Sequence, residues 1–269
     1  MFSNTSFSDK RFSHTKISFC TIALLLLSSW ATAAGDDEWS LGVATGIYAL
    51  NIEGDQGLNV GAFGPVEVEI DLDFDDVMDY NESGFGLAFS ASKGLWTYKF
   101  SFAHLGLEGE VNGVDRTGTP VSASLLFEAD AVELAANYNF HQYGQGVVGV
   151  IGGIRYYKHN FDGSVTRGAT TLQRDKNFSW VDGFVGLTHA YGFNQEWSWS
   201  SQLDIGGGGS DFAYLANTGI NWQFSQNWLT RFYGQILSID YEEDSKGDPD
   251  WYLYDAEEFG IGLGINYSW

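Results

Sequence analysis

The last eleven residues, Phe259 to Trp269, put a large apolar side chain at every second position: Phe259, Ile261, Leu263, Ile265, Tyr267 and Trp269, with Gly, Asn or Ser between them. Successive side chains of an extended strand point to opposite faces, so one face of this segment is wholly apolar and the other nearly bare. A strand of this kind suits a barrel wall that meets lipid on its outside.

The same alternation recurs along the chain. It is clearest in 39–51, 85–93, 95–107, 121–140, 147–160, 178–193, 197–206, 212–224, 228–242 and 256–269, which gives ten strands. Tight turns at 93–94, 141–146, 194–196 and 225–227 alternate with longer connections at 52–84, 108–120, 161–177 and 243–255. The expected fold is therefore all-β: a single antiparallel transmembrane β-barrel with short periplasmic turns and longer acidic extracellular loops. The segment 66–72 also alternates, so eight or twelve strands are the alternatives to ten. Gly207, Gly208, Gly209 and Ser210 read as a tight turn where the pattern would place another long loop. With no helix after them, they do not form a phosphate-cradling motif.

The front of the chain points to an exported protein. Lys10, Arg11 and Lys16 precede an apolar run from Ile17 to Leu27, and Ala31, Thr32 and Ala33 are small enough for signal-peptidase cleavage. Residues 1–33 are expected to be a signal peptide and 34–269 the barrel domain. No later stretch approaches the roughly 20 continuous apolar residues of a membrane helix. Cys20, the single cysteine, lies within the signal, so disulfides and thiolate chemistry are excluded from the barrel. The terminal aromatic resembles the signal by which outer-membrane barrels are delivered to their barrel-assembly machinery, which places the protein in the cell outer membrane of a Gram-negative bacterium.

Charge narrows the partners. The chain has 13 Lys plus Arg against 35 Asp plus Glu, a formal net charge of −22. Nucleic acid is an unsuitable partner for such a chain, because binding it depends on basic side chains. Cations, outer-membrane lipid and lipopolysaccharide are the expected partners, the last through divalent cations that bridge acidic loops to its phosphates.

Strand parity assigns faces. Trp96, Tyr98, Phe100 and Phe102 share the lipid face of one strand; Trp197, Trp199, Leu203 and Ile205 do so on another, and Phe212, Tyr214, Ile220, Trp222 and Phe224 on a third. Trp180, Trp197, Trp199, Trp222 and Trp228 are expected at the membrane interface, where indole rings are favoured. The inward set collects Lys99, Glu133, Arg155, Asp182, Asp204, Arg231 and Gln235. Charges of both signs in a narrow lumen predict a hydrogen-bonded ionic plug.

Several segments together carry a resemblance: 180–187 (WVDGFVGL), 203–211 (LDIGGGGSD), 232–241 (FYGQILSIDY), and 93–96 (KGLW) downstream of 73–79 (DFDDVMD). In this order they resemble a family of small proteobacterial outer-membrane barrels of unassigned function. The resemblance implies a barrel and brings no activity, ligand or catalytic residue with it. Gln235 stands where that family would have Arg, and the glycine run at 206–209 is shorter.

Glu67, Glu69, Asp71, Asp73 and Asp75 would alternate on one face if extended, which makes Asp71, Asp73 and Asp75 candidate ligands for a hard divalent cation. The segment lacks the glycine and terminal Glu of a calcium loop, and no other cofactor motif is present. Four histidines lie beyond the signal. His104 and His159 fall near extracellular strand ends, His141 at a periplasmic turn, and His189 in mid-strand with no Ser or Asp at plus or minus two to complete a catalytic pair. No catalytic constellation is visible along the chain. The expected role is structural or surface-interacting; a narrow channel for small or cationic solutes is the first alternative and a lipid-modifying enzyme the second.

Overall fold

In a computed structural model that describes residues 38–59, 64–114 and 120–269, the alternating segments close into a barrel. The expected signal peptide lies outside the described residues. The strands are β1 (Ser40–Asn59), β2 (Pro65–Leu72), β3 (Asn81–Lys93), β4 (Trp96–Val114), β5 (Pro120–Tyr143), β6 (Gly146–Arg167), β7 (Thr170–Gly192), β8 (Trp197–Gly207), β9 (Phe212–Gln223), β10 (Trp228–Glu243) and β11 (Tyr252–Ser268), with one helix, α1 (Phe74–Tyr80). Each strand from β3 to β11 pairs antiparallel with the next, and β11 returns to β1 from Gly42↔Ser268 to Leu58↔Tyr252. The segment 66–72 is indeed a strand, β2, but it pairs only with the upper part of β1 and stands outside the ring, so the ring keeps ten strands.

Closure is uneven. β1 pairs with β3 only from Ser40↔Ser92 to Ala44↔Ala88. Above that point β2 takes the free edge of β1, and α1 packs against β1, β2 and β4. Asp73 caps the helix by accepting from the Asp76 N–H (3.0 Å), and Asn51 Oδ1 accepts from the Phe74 N–H (3.0 Å). Val77 is the buried anchor of this helix.

The segments read as long loops at 108–120 and 161–177 are largely strand. β6 and β7 remain paired through Phe161↔Lys176 to Arg167↔Thr170, and β4 with β5 out to Val114↔Pro120. Backbone ladders continue above an apolar belt with polar side chains on their outer faces, and a polar alternation of that kind cannot be told from a loop by composition. β8 and β9 are far shorter, so the wall is tall on one side and low on the other. At the opposite end the turns are tight; Asn194 Oδ1 accepts from the Glu196 and Trp197 N–H groups, both at 2.8 Å.

The outer surface carries an apolar belt. Its lower edge is aromatic: Trp39, Trp96, Phe140, Phe193, Trp222, Trp228 and Trp269 are all exposed at the tight-turn end. Trp197 packs on Trp222 (5.8 Å between rings), and Trp228 on Tyr267 (4.8 Å). The belt's upper edge runs through Ile47, Phe85, Tyr156, Val181, Ile205 and Ile236, all exposed. Above it, parity puts Glu53, Glu108, Lys158, Asn177 and Asp255 outward. Trp180 departs from the expected interface position: it is 5% exposed and lies inside the barrel. Parity explains this, because Trp180 shares the inward face of Asp182 two residues on.

The β1–β11 seam leaves no room at Gly260, where a Cβ would stand 1.8 Å from the Ala49 carbonyl oxygen. Gly260→Ala is expected to destabilise the closed barrel by about 1–3 kcal/mol, the usual range for overpacking. Denaturant unfolding, read as loss of the heat-modifiable gel shift, measures it.

Candidate functional site

Two arrangements on this frame bring chemically active side chains together, one inside the ring and one on its outer wall. The inner one begins with the seven polar residues that parity directs into the lumen. Lys99, Glu133, Arg155, Asp182, Asp204, Arg231 and Gln235 are all buried there. Arg155 on β6 is the centre. Its Nε donates to Glu133 Oε2 (2.8 Å) on β5, and its two Nη atoms donate to both oxygens of Asp204 on β8 (2.7 and 2.9 Å). The fork matches the carboxylate, and the guanidinium lies over the Phe184 ring (3.9 Å). Gln202 donates to Asp204 (2.7 Å) and accepts from Lys99 Nζ at 3.5 Å. Lys99 on β4 and Gln202 on β8 are four strands apart in a ring of ten, so this contact crosses the lumen.

Of the remaining three, Asp182 stands directly opposite Arg155 on the β6–β7 ladder, while Arg231 and Gln235 have partners of their own. Arg231 donates to Asn217, which in turn donates to Gln235 (2.9 Å), and the Gln235 carbonyl accepts from Tyr48 OH (3.0 Å). Asp182 is held by the glycine turn between β8 and β9: it accepts from the Gly209 N–H (3.1 Å), the Ser210 N–H (2.7 Å) and Ser210 Oγ (2.8 Å). The turn thus folds onto a buried carboxylate, a use that its composition alone does not disclose.

Above the polar layer lies an aromatic one that sequence reasoning missed. Trp180 stacks on Tyr241 (4.0 Å) and Phe178 on Tyr252 (4.2 Å). His159 Nδ1 and Tyr252 OH are hydrogen-bonded at 2.7 Å, joining β6 to β11 across five strands, the full diameter of the ring. A residual cavity of about 30 Å³ beside His159, Tyr157 and Tyr254 holds on the order of one or two waters at most. His159 lies level with outward Lys158 and Asn160, above the apolar belt. Burial holds its pKa down to about 3 against an ordinary 6.5.

The acidic segment does not gather its carboxylates. Glu67, Glu69 and Asp71 are extended on β2, but the chain turns helical at Asp73, which is engaged as the α1 cap, and Asp75 lies in the first helical turn. Among the described residues no group of three His, Cys, Asp or Glu side chains could hold a metal ion. Glu53 and Asp55 of β1, Glu69 and Asp71 of β2 and Glu257 of β11 instead border one open acidic cleft.

On the outer wall, three adjacent strands bring together residues that are far apart in sequence. His104 on β4 faces Asp130 on β5 directly across the ladder, and its Nδ1 is 2.7 Å from Asp130 Oδ1. Its Nε2 is 3.0 Å from Ser83 Oγ on β3, one diagonal step away. A bulge between Asn81 and Ser83 sets the Ser83 register, and Asn81 Nδ2 donates to the Ser83 carbonyl (3.1 Å). The carboxylate only accepts, so Nδ1 donates to Asp130; in the neutral ring that leaves Nε2 to accept from the Ser83 hydroxyl. The sequence along the His104 strand does not disclose this, since both partners come from neighbouring strands. His189, read as mid-strand, lies near the tight-turn end of β7 and bonds Tyr143 OH (2.6 Å) in the aromatic girdle.

Solved structures share the architecture. The chain is similar to the outer membrane protease OmpT from Escherichia coli, with 10% identity, a TM-score of 0.50, and coverage of 89% of this chain and 99% of that one. It is also similar to the translocator domain of the autotransporter NalP from Neisseria meningitidis, at 10% identity and a TM-score of 0.48, covering 86% and 89% of the two chains. The COG4313 outer membrane channel from Pseudomonas putida F1 matches at 11% identity and a TM-score of 0.39, covering 90% and 98%. The likeness to the protease shows the fold of an outer-membrane β-barrel. No protein-family model matches the chain, nor does any curated protein.

Two outcomes test the lumen geometry. Arg155→Ala, which leaves Glu133 and Asp204 facing each other without their cation, is expected to destabilise the barrel by about 3–5 kcal/mol in urea unfolding. For His159, the unfolded chain binds a proton before the folded one does, so the stability from the neutral ring is complete above about pH 6.5 and is lost as pH falls toward 3. His159→Phe is expected to lose less stability than the unsubstituted barrel between pH 7 and pH 4, measured as the shift in denaturant midpoint.

Proposed function

We propose that this is a non-conducting outer-membrane barrel that acts through its surfaces rather than through its lumen. The carrying observation is the pair of bridges across the ring: Lys99 to Gln202 in the polar layer and His159 to Tyr252 in the aromatic layer above it. A ten-stranded ring is only slightly wider than one that side chains can fill, and here two successive layers meet in the middle. Charges taken from water need partners, and the Arg155 fork with Glu133 and Asp204 supplies them in place of a hydrated path.

In this reading the apolar belt lies in the outer membrane, with the tight turns and both strand termini toward the periplasm and the tall wall of β4 to β7 outside the cell. The exterior then presents the acidic cleft between β1, β2 and β11 to its surroundings. A surface of that sign favours cationic partners, and it meets lipopolysaccharide phosphates only through bridging divalent cations.

Planar-bilayer recordings test the closed lumen. The refolded barrel, with folding confirmed by its gel shift, is expected to give no discrete current steps. Steps that change in size or cation selectivity with Asp204→Ala or Arg231→Ala would make it a narrow channel instead.

A further inference from the structure

We propose that Ser83, His104 and Asp130 form a catalytic triad on the outer wall that hydrolyses acyl esters of membrane lipids. The proposal rests on the apolar belt being the lipid contact and is independent of the closed lumen.

The three contacts have the connectivity that the chemistry needs. A carboxylate fixes the imidazole tautomer through Nδ1 (2.7 Å), and the other ring nitrogen stands 3.0 Å from a primary hydroxyl as its base. The site is built to hold that geometry. His104 is 16% and Asp130 27% exposed, so the base and its orienting acid are largely shielded while still reachable. Phe85, directly opposite His104 on the β3–β4 ladder, packs beside the imidazole (5.5 Å) and on Phe102 (5.4 Å). A Cβ at Gly106 would stand 2.6 Å from Ser83 Oγ, so glycine there is what leaves the hydroxyl its place beside the ring.

Position selects the substrate class. On the same outer face, Phe85, Leu87, Phe89 and Phe100 descend as exposed apolar side chains, whereas Glu108 and Lys158 stand above and beside the triad outside the belt. The triad therefore lies where the wall changes from apolar to polar, the depth at which a bilayer lipid keeps its ester carbonyls with acyl chains below and headgroup above. A lipid lying against Phe85 and Phe102 brings its ester to Ser83 without leaving the leaflet.

The step balances with water as co-reactant. Ser83 Oγ bonds to the ester carbonyl carbon while its proton passes to His104 Nε2; the carbon–oxygen bond to the alcohol breaks, and that proton goes to the departing alkoxide. Water then attacks the acyl-serine with His104 again taking the proton and returning it to Ser83, which releases a fatty acid.

Refolded barrel in vesicles of phosphatidylethanolamine, with and without lipopolysaccharide, is expected to release free fatty acid, and the two vesicle types separate a glycerolipid from a lipopolysaccharide acyl chain as the source. Ser83→Ala and His104→Ala are expected to cut release by roughly 1,000-fold or more, and Gly106→Ala to reduce it by displacing the hydroxyl, all with an unchanged gel shift. A fluorophosphonate probe gives a second readout: it should label Ser83 in the unsubstituted protein and fail to do so in His104→Ala. Absence of both release and labelling in the folded barrel overturns the proposal, as does release that survives Ser83→Ala. Hydrolysis confined to short, water-soluble 4-nitrophenyl esters overturns the lipid assignment.

Discussion

A wall in contact with lipid has no water to satisfy its backbone, so each N–H and C=O there must find a partner within the sheet. That requirement makes the β1–β11 ladder the constraint on which the rest depends. It runs the length of β1, from Gly42 to Leu58, and it turns an open sheet with two bare edges into a ring. The seam with β3 is complete only over its first rows, and β2 and α1 cover the rows above them. The extra strand and the only helix among the described residues are thus consequences of how the ring closes.

Closure creates an interior that must then be filled. Ten strands leave space that large side chains from opposite walls can reach across, and the chain fills it in two ways at two heights. At the level of the belt, charges of opposite sign satisfy one another, with Arg155 held by two carboxylates and an aromatic face. Higher up, Trp180, Tyr241, Phe178 and Tyr252 stack, and the hydrogen bond from His159 spans the diameter. On the reading proposed above, a filled interior leaves the outside as the working surface: the acidic cleft beside β2 and the hydrogen-bonded Ser83, His104 and Asp130 at the upper edge of the belt.

Much of this is legible because strand parity is local. Ile261, Leu263 and Ile265 point outward, and Lys99, Glu133, Arg155, Asp182, Asp204, Arg231 and Gln235 point inward, as the alternation of apolar and polar residues requires. Trp180 is misplaced when residue type is allowed to outweigh parity. The upper hairpins read as loops because a polar outer face no longer distinguishes strand from connection once the wall leaves the belt. Asp73 looks like one more member of an extended acidic row, yet its short side chain is equally suited to cap a helix, and only the turn into α1 shows which role it has.

The sequence by itself determined that this chain makes an antiparallel barrel and which side chains of each strand point outward, because a period of two and a turn between strands are properties of neighbouring residues; that the ring has ten strands, with β2 outside it, was decided by the pairing of β1. The tertiary structure alone decided which side chains meet. Ser83, His104 and Asp130 come from three strands, and His159 and Tyr252 from opposite walls. Their meeting depends on the register of each ladder and the stagger imposed by closing the ring, and a shift of a single residue would turn every side chain of a strand to its other face.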